Sequence, residues 1–152
     1  MSIDASSIID ALASHAMSLG IFERVNQHEP KNSPGNGISA AVWLDAIGPV
    51  PRGSGLSATT ARLAFNVRIY QNMLSEPQDA IDPAVIKAVD SLFTAYSADF
   101  ELGGDVAYLD LLGQAGVALQ AQAGYINIDG KHMRVLTIVV PVVLNDAWPQ
   151  VA

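Results

Sequence analysis

"GYINIDGKHMRVLTIVVPVVLND", residues 124–146, decides the fold because it reads as two β-strands that reverse at a tight turn. Asp129 and Gly130 stand where a type I′ turn needs positive φ at two successive residues. We therefore predict a hairpin from about Ala118 to Leu144. Beyond the turn both faces of the second strand are apolar, so helices can cover one face and a neighbouring subunit is a candidate to cover the other. Pro141 lacks an N–H, which places this strand at a sheet edge or at a bulge.

Other strands are predicted before this hairpin. Residues 38–47, "ISAAVWLDAI", form one, with Leu44 on one face and Trp43 and Ile47 on the other. Residues 61–71, "ARLAFNVRIYQ", alternate so cleanly that they predict a half-covered strand. Between them, residues 48–60 contain two prolines and three glycines, which predict a long exposed loop of the kind that binds something. A brief strand is expected near Val106 to Leu111. The inward residues of the 61–71 strand are Leu63, Phe65, Val67 and Ile69, and the outward ones are Arg62, Asn66, Arg68 and Tyr70.

Two helices complete the predicted domain. Residues 3–19 place apolar side chains at three- and four-residue spacings, and Gly20 can supply a left-handed C-terminal cap. The second helix is predicted to begin with Asp82 as N-cap and Pro83 as its first helical residue. Its apolar stripe consists of Val85, Val89, Leu92, Phe93 and Tyr96. The predicted fold class is α+β, a mainly antiparallel sheet packed by two helices in a single domain over residues 1–152.

Composition excludes several classes of protein. The chain has 152 residues, half of them apolar, and no cysteine, which fits one domain without disulfides or thiolate metal sites. The first twenty residues lack a basic leader and a long apolar run, so we expect neither a signal peptide nor a membrane span, and we expect synthesis and residence in the cytosol. The net charge of −7 arises within residues 76–110, which hold eight acids and one lysine. Tight nucleic-acid binding is therefore disfavoured, because no basic footprint is visible.

No motif predicts catalysis. The three histidines show no paired ligand spacing, and no nucleophile elbow, phosphate loop or calcium loop is present. We therefore predict no catalytic residue, no cofactor and no metal. The acidic segment is interpreted as a solvated face or as a negatively charged lining that keeps passing DNA from sticking. A small cytosolic enzyme that uses this acidic cluster stays open as an alternative.

Four stretches together resemble a known family: "FNVRIYQNMLSEPQDAIDP", "AYSADFELGGDVAYLDLLG", "LQAQAGYINIDGKHMRV" and "TIVVPVVLNDAW". They are similar to the tail terminator proteins, often labelled minor tail proteins, of long-tailed bacteriophages that infect actinobacteria. The likeness spans most of Ala40 to Trp148, whereas the N-terminal helix matches only in type. None of the four stretches is a catalytic motif, so the resemblance depends on their extent and order.

The resemblance implies a small subunit that assembles with itself, usually as a ring of six, on the head-proximal end of the tail tube. Such a ring ends tube polymerisation and forms the joint to the head-to-tail connector protein, with DNA passing transiently through the lumen. The implied location is the virion, after assembly in the host cytoplasm. The implied partners are further copies of the chain, the tail tube protein and the connector, with no membrane. A head-to-tail connector or a tube subunit is the alternative within the same class.

The candidate site residues follow from these interpretations. We predict that Trp43, Pro51 and Arg52, in or beside the long loop, belong to an interface, although Trp43 could equally be a core residue. Arg62 and Arg68, on the exposed face of their strand, are also predicted interface residues. Charge reversal at these two positions is expected to leave the fold intact and to prevent ring formation. The predicted lumen residues are Asp99, Glu101 and Asp105.

Overall fold

Two helices lie against one face of a six-stranded, mostly antiparallel sheet in the computed structural model, which describes residues 3–31, 37–51, 58–73 and 78–149. Along the sheet the order is β1, β2, β3, β6, and then both β4 and β5, which pair with the same side of β6. Only the β1–β2 pairing is parallel. This architecture confirms the predicted α+β class. The elements are α1 (Ala5–Ser18), β1 (Arg24–Asn26), β2 (Ser39–Pro49), β3 (Ala58–Asn72), α2 (Ile81–Ala98), β4 (Tyr108–Leu109), β5 (Gln120–Ile128) and β6 (Lys131–Pro149).

Local interactions fix both ends of α1. The Asp4 carboxylate accepts a hydrogen bond from the Ser7 N–H at 3.1 Å, which satisfies one of the donors left over at a helix start. Gly20 has a φ of +68° and its N–H donates to the Met17 carbonyl at 3.2 Å. The predicted left-handed cap is therefore confirmed, and the helix ends where the sequence indicates.

The start of α2 differs from the prediction. A 3-10 turn, Gln78–Ala80, leads directly into the helix, so the N-cap is Ala80 and not Asp82. Pro83 is still tolerated because it lies in the first turn, where the backbone N–H has no partner within the helix. Asp82 instead accepts a hydrogen bond from Arg134 Nε at 3.0 Å and so ties the helix start to β6.

The core lies between the helices and the face of the sheet that they cover, called the helix face below. All four predicted inward residues of β3 are fully buried there, together with residues of α1, α2 and β6. On the opposite face of the sheet, called the open face, a second and smaller cluster surrounds Tyr70. Tyr70 is on the predicted outward face but is only 1% exposed. The second cluster consists of Ala41, Tyr70, Met133 and Val135, with Trp43, Ile126 and Ile128 packed against it.

The prediction that Pro141 marks an edge or a bulge is wrong, because β6 is a central strand. It pairs with β3 on one side and with β5 and β4 on the other. The β5 pairing reaches Val139 and the β4 pairing begins at Val142, so Pro141 lies at the junction between these two partners. The Pro141 carbonyl accepts from the Asp110 N–H at 2.9 Å, which shows that its backbone points toward this junction. Its missing N–H therefore removes no ladder bond to β3.

Three boundaries also change. The predicted loop 48–60 is shorter, because Gly48 and Pro49 belong to β2 and β3 already begins at Ala58. The strand expected near Val106 to Leu111 contracts to Tyr108–Leu109. The closing hairpin is confirmed, with φ of +54° at Asp129 and +78° at Gly130, and its first strand begins at Gln120. Neither helix in the described ranges has the length and apolar character needed to cross a membrane.

Candidate assembly interface

One strand changes its environment halfway along its length. Residues 39–42 of β2 are buried, whereas residues 44–49 are mostly exposed. In this second half Leu44 is 40% exposed and Ile47 is 52% exposed. Because β1 pairs only with residues 39–41, residues 42–49 have no strand on their outer side in the described parts of the chain. We call residues 42–49 the β2 free edge.

The ladder pattern tells which backbone groups of the β2 free edge point outward. The Pro141 carbonyl points away from β3, so the backbone N–H and C=O groups of the preceding residue, Val140, point toward β3 and bond to Phe65. Because this direction alternates along β3, the backbone groups of Asn66 point toward β2 and bond to Trp43. Within β2, the backbone groups of the residues on either side of Trp43 therefore point away from β3. The Ile38 carbonyl also points away from β3, as this alternation requires, and accepts from the Glu23 N–H at 2.8 Å.

A bulge between Leu44 and Ala46 then shifts the alternation by one residue. As a result, the N–H and C=O groups of Val42, Leu44 and Ile47 all point away from the sheet, and the side chains of these residues all lie on the helix face. An unpaired row of backbone groups beside exposed apolar side chains is a template for the addition of another strand.

The opposite side of the sheet ends in a second unpaired strand, β5, which we call the β5 free edge. The two-residue turn makes Ile128 and Lys131 a hydrogen-bonded pair, so the even-numbered residues of β5 bond to β6. The odd-numbered residues Ala121, Ala123, Tyr125 and Asn127 point outward and have no strand partner among the residues described. Tyr125 is 55% exposed and is held in place by the parallel His132 ring, 5.5 Å away, and by the Arg134 guanidinium, 4.4 Å above its ring.

Two of the predicted interface residues lie side by side on the open face. The Arg68 guanidinium lies 5.2 Å from the centre of the Trp43 ring, and Arg68 Nε donates to Thr137 Oγ1 at 2.8 Å. The neighbouring register pairs, Ala41 with Arg68 and Trp43 with Asn66, bring these side chains from distant parts of the sequence together. Trp43 is half-buried, so it contributes to the second apolar cluster and also presents part of its ring to solvent.

Arg62 also has a partner within its own chain, but in a loop. Its Nη1 donates to the Ala115 carbonyl at 2.8 Å, across 53 residues of sequence. Asp110 stabilises the loop that contains Ala115, because its carboxylate accepts from the N–H groups of Gln114 at 2.8 Å and Ala115 at 2.7 Å. Charge reversal at Arg62 would therefore disturb this loop as well as any interface, and charge reversal at Arg68 would also break its bond to Thr137 and its contact with Trp43. Of the remaining predicted interface residues, Pro51 is exposed and Arg52 lies outside the described residues.

The predicted lumen residues lie on the other layer of the molecule. Asp99, Glu101 and Asp105 follow one another where α2 ends and a 3-10 turn, Leu102–Gly104, begins. Asp99 accepts hydrogen bonds from His15 Nε2 at 2.9 Å and from the Gly103 N–H at 3.0 Å, and these bonds, above all that from His15, lower the pKa of the Asp99 carboxyl. Glu101 and Asp105 are exposed. This acidic group belongs to the helix layer, whereas Arg68 and Trp43 belong to the open face.

A shallow pocket of about 370 Å³ lies beside Arg68, between the 29–31 segment and the end of β5. Tyr70 lines it, and burial raises the pKa of the Tyr70 hydroxyl to about 12, although the charge of Arg68 opposes the rise. Across the four described ranges, no group of three or more His, Asp or Glu side chains is placed to hold a metal ion. The Tyr70 phenol therefore stays neutral near pH 7.

The chain was compared with family models, with curated proteins and with solved structures. No family model matches the chain, and no curated protein matches it. Among solved structures, the chain is similar to the sheath/tube terminator of an extracellular contractile injection system, PVC, in its extended state. The TM-score is 0.47 at 12% identity, and the match covers 100% of this chain and 62% of that chain. The chain thus spans less than two thirds of the length of that terminator.

Proposed function

We propose that this protein is a structural subunit that forms a ring of identical copies, six in number, at the head-proximal end of a tail tube. The observation that supports this most directly is the β2 free edge with its exposed Leu44 and Ile47. An isolated copy would leave this edge open to uncontrolled strand addition, whereas contact with another copy covers it. A head-to-tail contact that closes into a ring leaves no lateral edge open.

The resemblance in sequence supplies the rest of the proposal. The ring would stop tube polymerisation and provide the docking surface for the head-to-tail connector, while DNA passes through its lumen. The protein would act in the virion after assembly in the host cytoplasm and would perform no catalysis. The Asp99, Glu101 and Asp105 group would line the lumen, where like charge keeps DNA from binding as it moves past.

The mass of the purified protein in solution tests the ring directly. Light scattering should give about 96 kDa, which is six copies of a 16.0 kDa chain. Mixing with tail tube protein, followed by electron microscopy, should give shorter tubes with a cap at one end. A monomer at every concentration would reject the ring, and tubes that lengthen with added protein would favour a tube subunit instead.

A further inference from the structure

We infer that the β5 free edge of one copy pairs antiparallel with the β2 free edge of the next, so that one continuous sheet runs through the ring. This inference rests on the proposed ring and names its contact surfaces. The two edges are different patches at opposite sides of the sheet, which is what a head-to-tail contact requires. They are also similar in length, with residues 42–49 on one and Gln120–Ile128 on the other.

Strand direction favours this pairing. In the strand order β2, β3, β6, β5, each strand is antiparallel to the next one. After three such steps, β2 and β5 of one copy run in opposite directions. A second copy placed beside the first in the same orientation therefore presents its β5 antiparallel to β2. The continued sheet keeps the more stable of the two pairing patterns.

One register brings outward-pointing backbone groups of the two edges together. If Leu44 stands opposite Tyr125, the bulge at residues 44–46 places Ile47 opposite Ala123, and the neighbour's chain beyond Tyr125 must diverge from β2 because Asn26 of β1 already pairs with Ala41. Each of these residues directs its N–H and C=O groups outward, so each pair can exchange two hydrogen bonds. Pro49, which cannot donate, falls at the last pair of the ladder, where its missing N–H costs one terminal bond.

Side-chain chemistry is complementary in the same register. Leu44 and Ile47 lie on the helix face of β2, and Ala123 and the 55% exposed Tyr125 lie on the helix face of β5. Pairing would cover these apolar groups together. The β5 free edge contains no charged residue, and the β2 free edge contains only Asp45, which lies in the bulge. Strand edges that must stay open in solution are usually blocked by charges, prolines or bulges. The β5 free edge carries no charge and no proline, whereas the β2 free edge carries Asp45, the bulge and Pro49, so its unprotected part is short.

The register also imposes a tilt that suits a closed ring. Leu44 lies level with Val140 of β6, whereas Tyr125 lies level with Arg134, six residues lower. Six residues span about 20 Å along a strand, and the four strands β2, β3, β6 and β5 span about 19 Å across the sheet. Each copy would thus be offset so that its strands tilt by about 45° from the ring axis, at the upper end of the range for closed barrels.

The absence of cysteine makes disulfide trapping a clean test. In the inferred register Ala46 stands opposite Gly124 as a non-hydrogen-bonded pair, with Cα atoms about 4.5 Å apart, which is within disulfide range. A Cβ at Gly124 would make only an ordinary 3.8 Å contact with Val135, so cysteine fits there. Within one copy β3 and β6 separate the two positions, by about 14 Å at least, which excludes a disulfide inside the chain.

After oxidation, the double variant Ala46→Cys/Gly124→Cys should run as a covalent ladder that ends at the ring. Each single variant should stay unlinked. The matched control Ala46→Cys/Gln122→Cys, two residues out of register, should link at least tenfold more slowly. A ring of the expected mass without a ladder would overturn the edge pairing and leave the proposed function intact, whereas absence of any ring would reject the proposed function itself. Faster linking of the control would overturn the register.

Hydrogen exchange on the unmodified protein keeps the inference testable if the cysteine variants do not fold. The amides of Leu44, Ile47, Ala123 and Tyr125 should exchange at least tenfold more slowly in the ring than in the diluted monomer. Equal exchange at these four positions in a protein of confirmed ring mass would overturn the pairing.

Discussion

The two halves of β2 share an apolar composition but not an environment. Residues 39–42 are buried on both faces, by α1 on the helix face and by the Tyr70 cluster on the open face. Residues 44–49 continue the same strand and the same pairing with β3, yet Leu44 and Ile47 stay exposed. The difference lies in what covers the strand, since β1 pairs with the first half only and α1 packs against the helix face there.

This contrast separates the two tasks that apolar residues perform in one strand. The first half stabilises the monomer because its side chains leave water when the chain folds. In the second half, Leu44 and Ile47 stay 40% and 52% exposed, and another molecule could bury the rest of these side chains. Substitutions in the first half should therefore change the free energy of unfolding, and substitutions in the second half should change assembly.

The largest expected effect comes from placing one carboxylate in each half. Ile47→Asp should give a folded monomer, because a charge on the β2 free edge opposes strand addition and contacts solvent. In this monomeric background, adding Val42→Asp should lower the free energy of unfolding by about 3 to 5 kcal/mol, because Val42 is fully buried and the new charge has no partner. Chemical denaturation followed by circular dichroism measures this loss, and light scattering measures the mass.

The matched control for assembly is Ile86→Asp, on the exposed side of α2, where the side chain is 60% exposed. It should leave both the mass and the stability unchanged within about 0.5 kcal/mol. If Ile47→Asp retained the ring mass, or unfolded as readily as the Val42 variant, the contrast between the two halves would be wrong.

The features that sequence predicted correctly depend on short-range chemistry. The alternation in residues 61–71, the Asp129-Gly130 turn and the Gly20 cap each follow from a residue and its near neighbours. Two features could not be predicted in this way. Pro141 is tolerated in a central strand only because β5 ends and β4 begins beside it. The start of α2 shifts because a 3-10 turn precedes it and releases Asp82 to bind Arg134.

The candidate site was predictable only in part for a related reason. Sequence alternation placed Leu44 and Ile47 on opposite faces, and the bulge at residues 44–46 brings them onto the same face. Asp45, a single charge in an apolar run, is the one sequence signal of that irregularity. Arg68 and Trp43 were predicted from separate segments, and the sheet register brings them together. The bond from Arg62 to the Ala115 carbonyl depends on a tertiary contact that no local pattern reveals.

An intermediate effect on stability is expected from the hydrogen bond that joins α2 to α1, the helix that covers the first half of β2. The Tyr96 hydroxyl, fully buried on α2, donates to the Leu12 carbonyl of α1 at 3.1 Å. Tyr96→Phe should lower the free energy of unfolding of the Ile47→Asp monomer by about 1 kcal/mol, because one buried hydrogen bond is lost. Hydrogen exchange should accelerate at residues 39–43 and stay unchanged at residues 44–49. Tyr125→Phe, at an exposed ring, is the control. Equal acceleration in both halves of β2 would contradict the assignment of α1 as the element that covers the first half.

The smallest expected effect comes from the other connection between the helices, the hydrogen bond from His15 to Asp99. Asp99→Asn should cost less than about 1 kcal/mol at neutral pH, because both side chains are partly exposed and solvent screens the pair. The folded-state pKa of Asp99 is lowered from 3.8, so the ionised carboxylate stabilises the folded state above the ordinary carboxyl pKa. That stability is lost as the pH falls through the lowered pKa.

The direction of this pH dependence can be checked by denaturation of the Ile47→Asp monomer with and without Asp99→Asn, measured from pH 7 down to pH 2. The difference between the two proteins should shrink as the pH falls from about 4 through the lowered pKa of Asp99. Asp105→Asn, at an exposed carboxylate near the same turn, should differ by less than about 0.5 kcal/mol across the range. A difference that grew as the pH fell below about 4 would mean that the Asp99 carboxylate opposes the contact between α1 and α2, so it could not help to hold α1 over the buried half of β2.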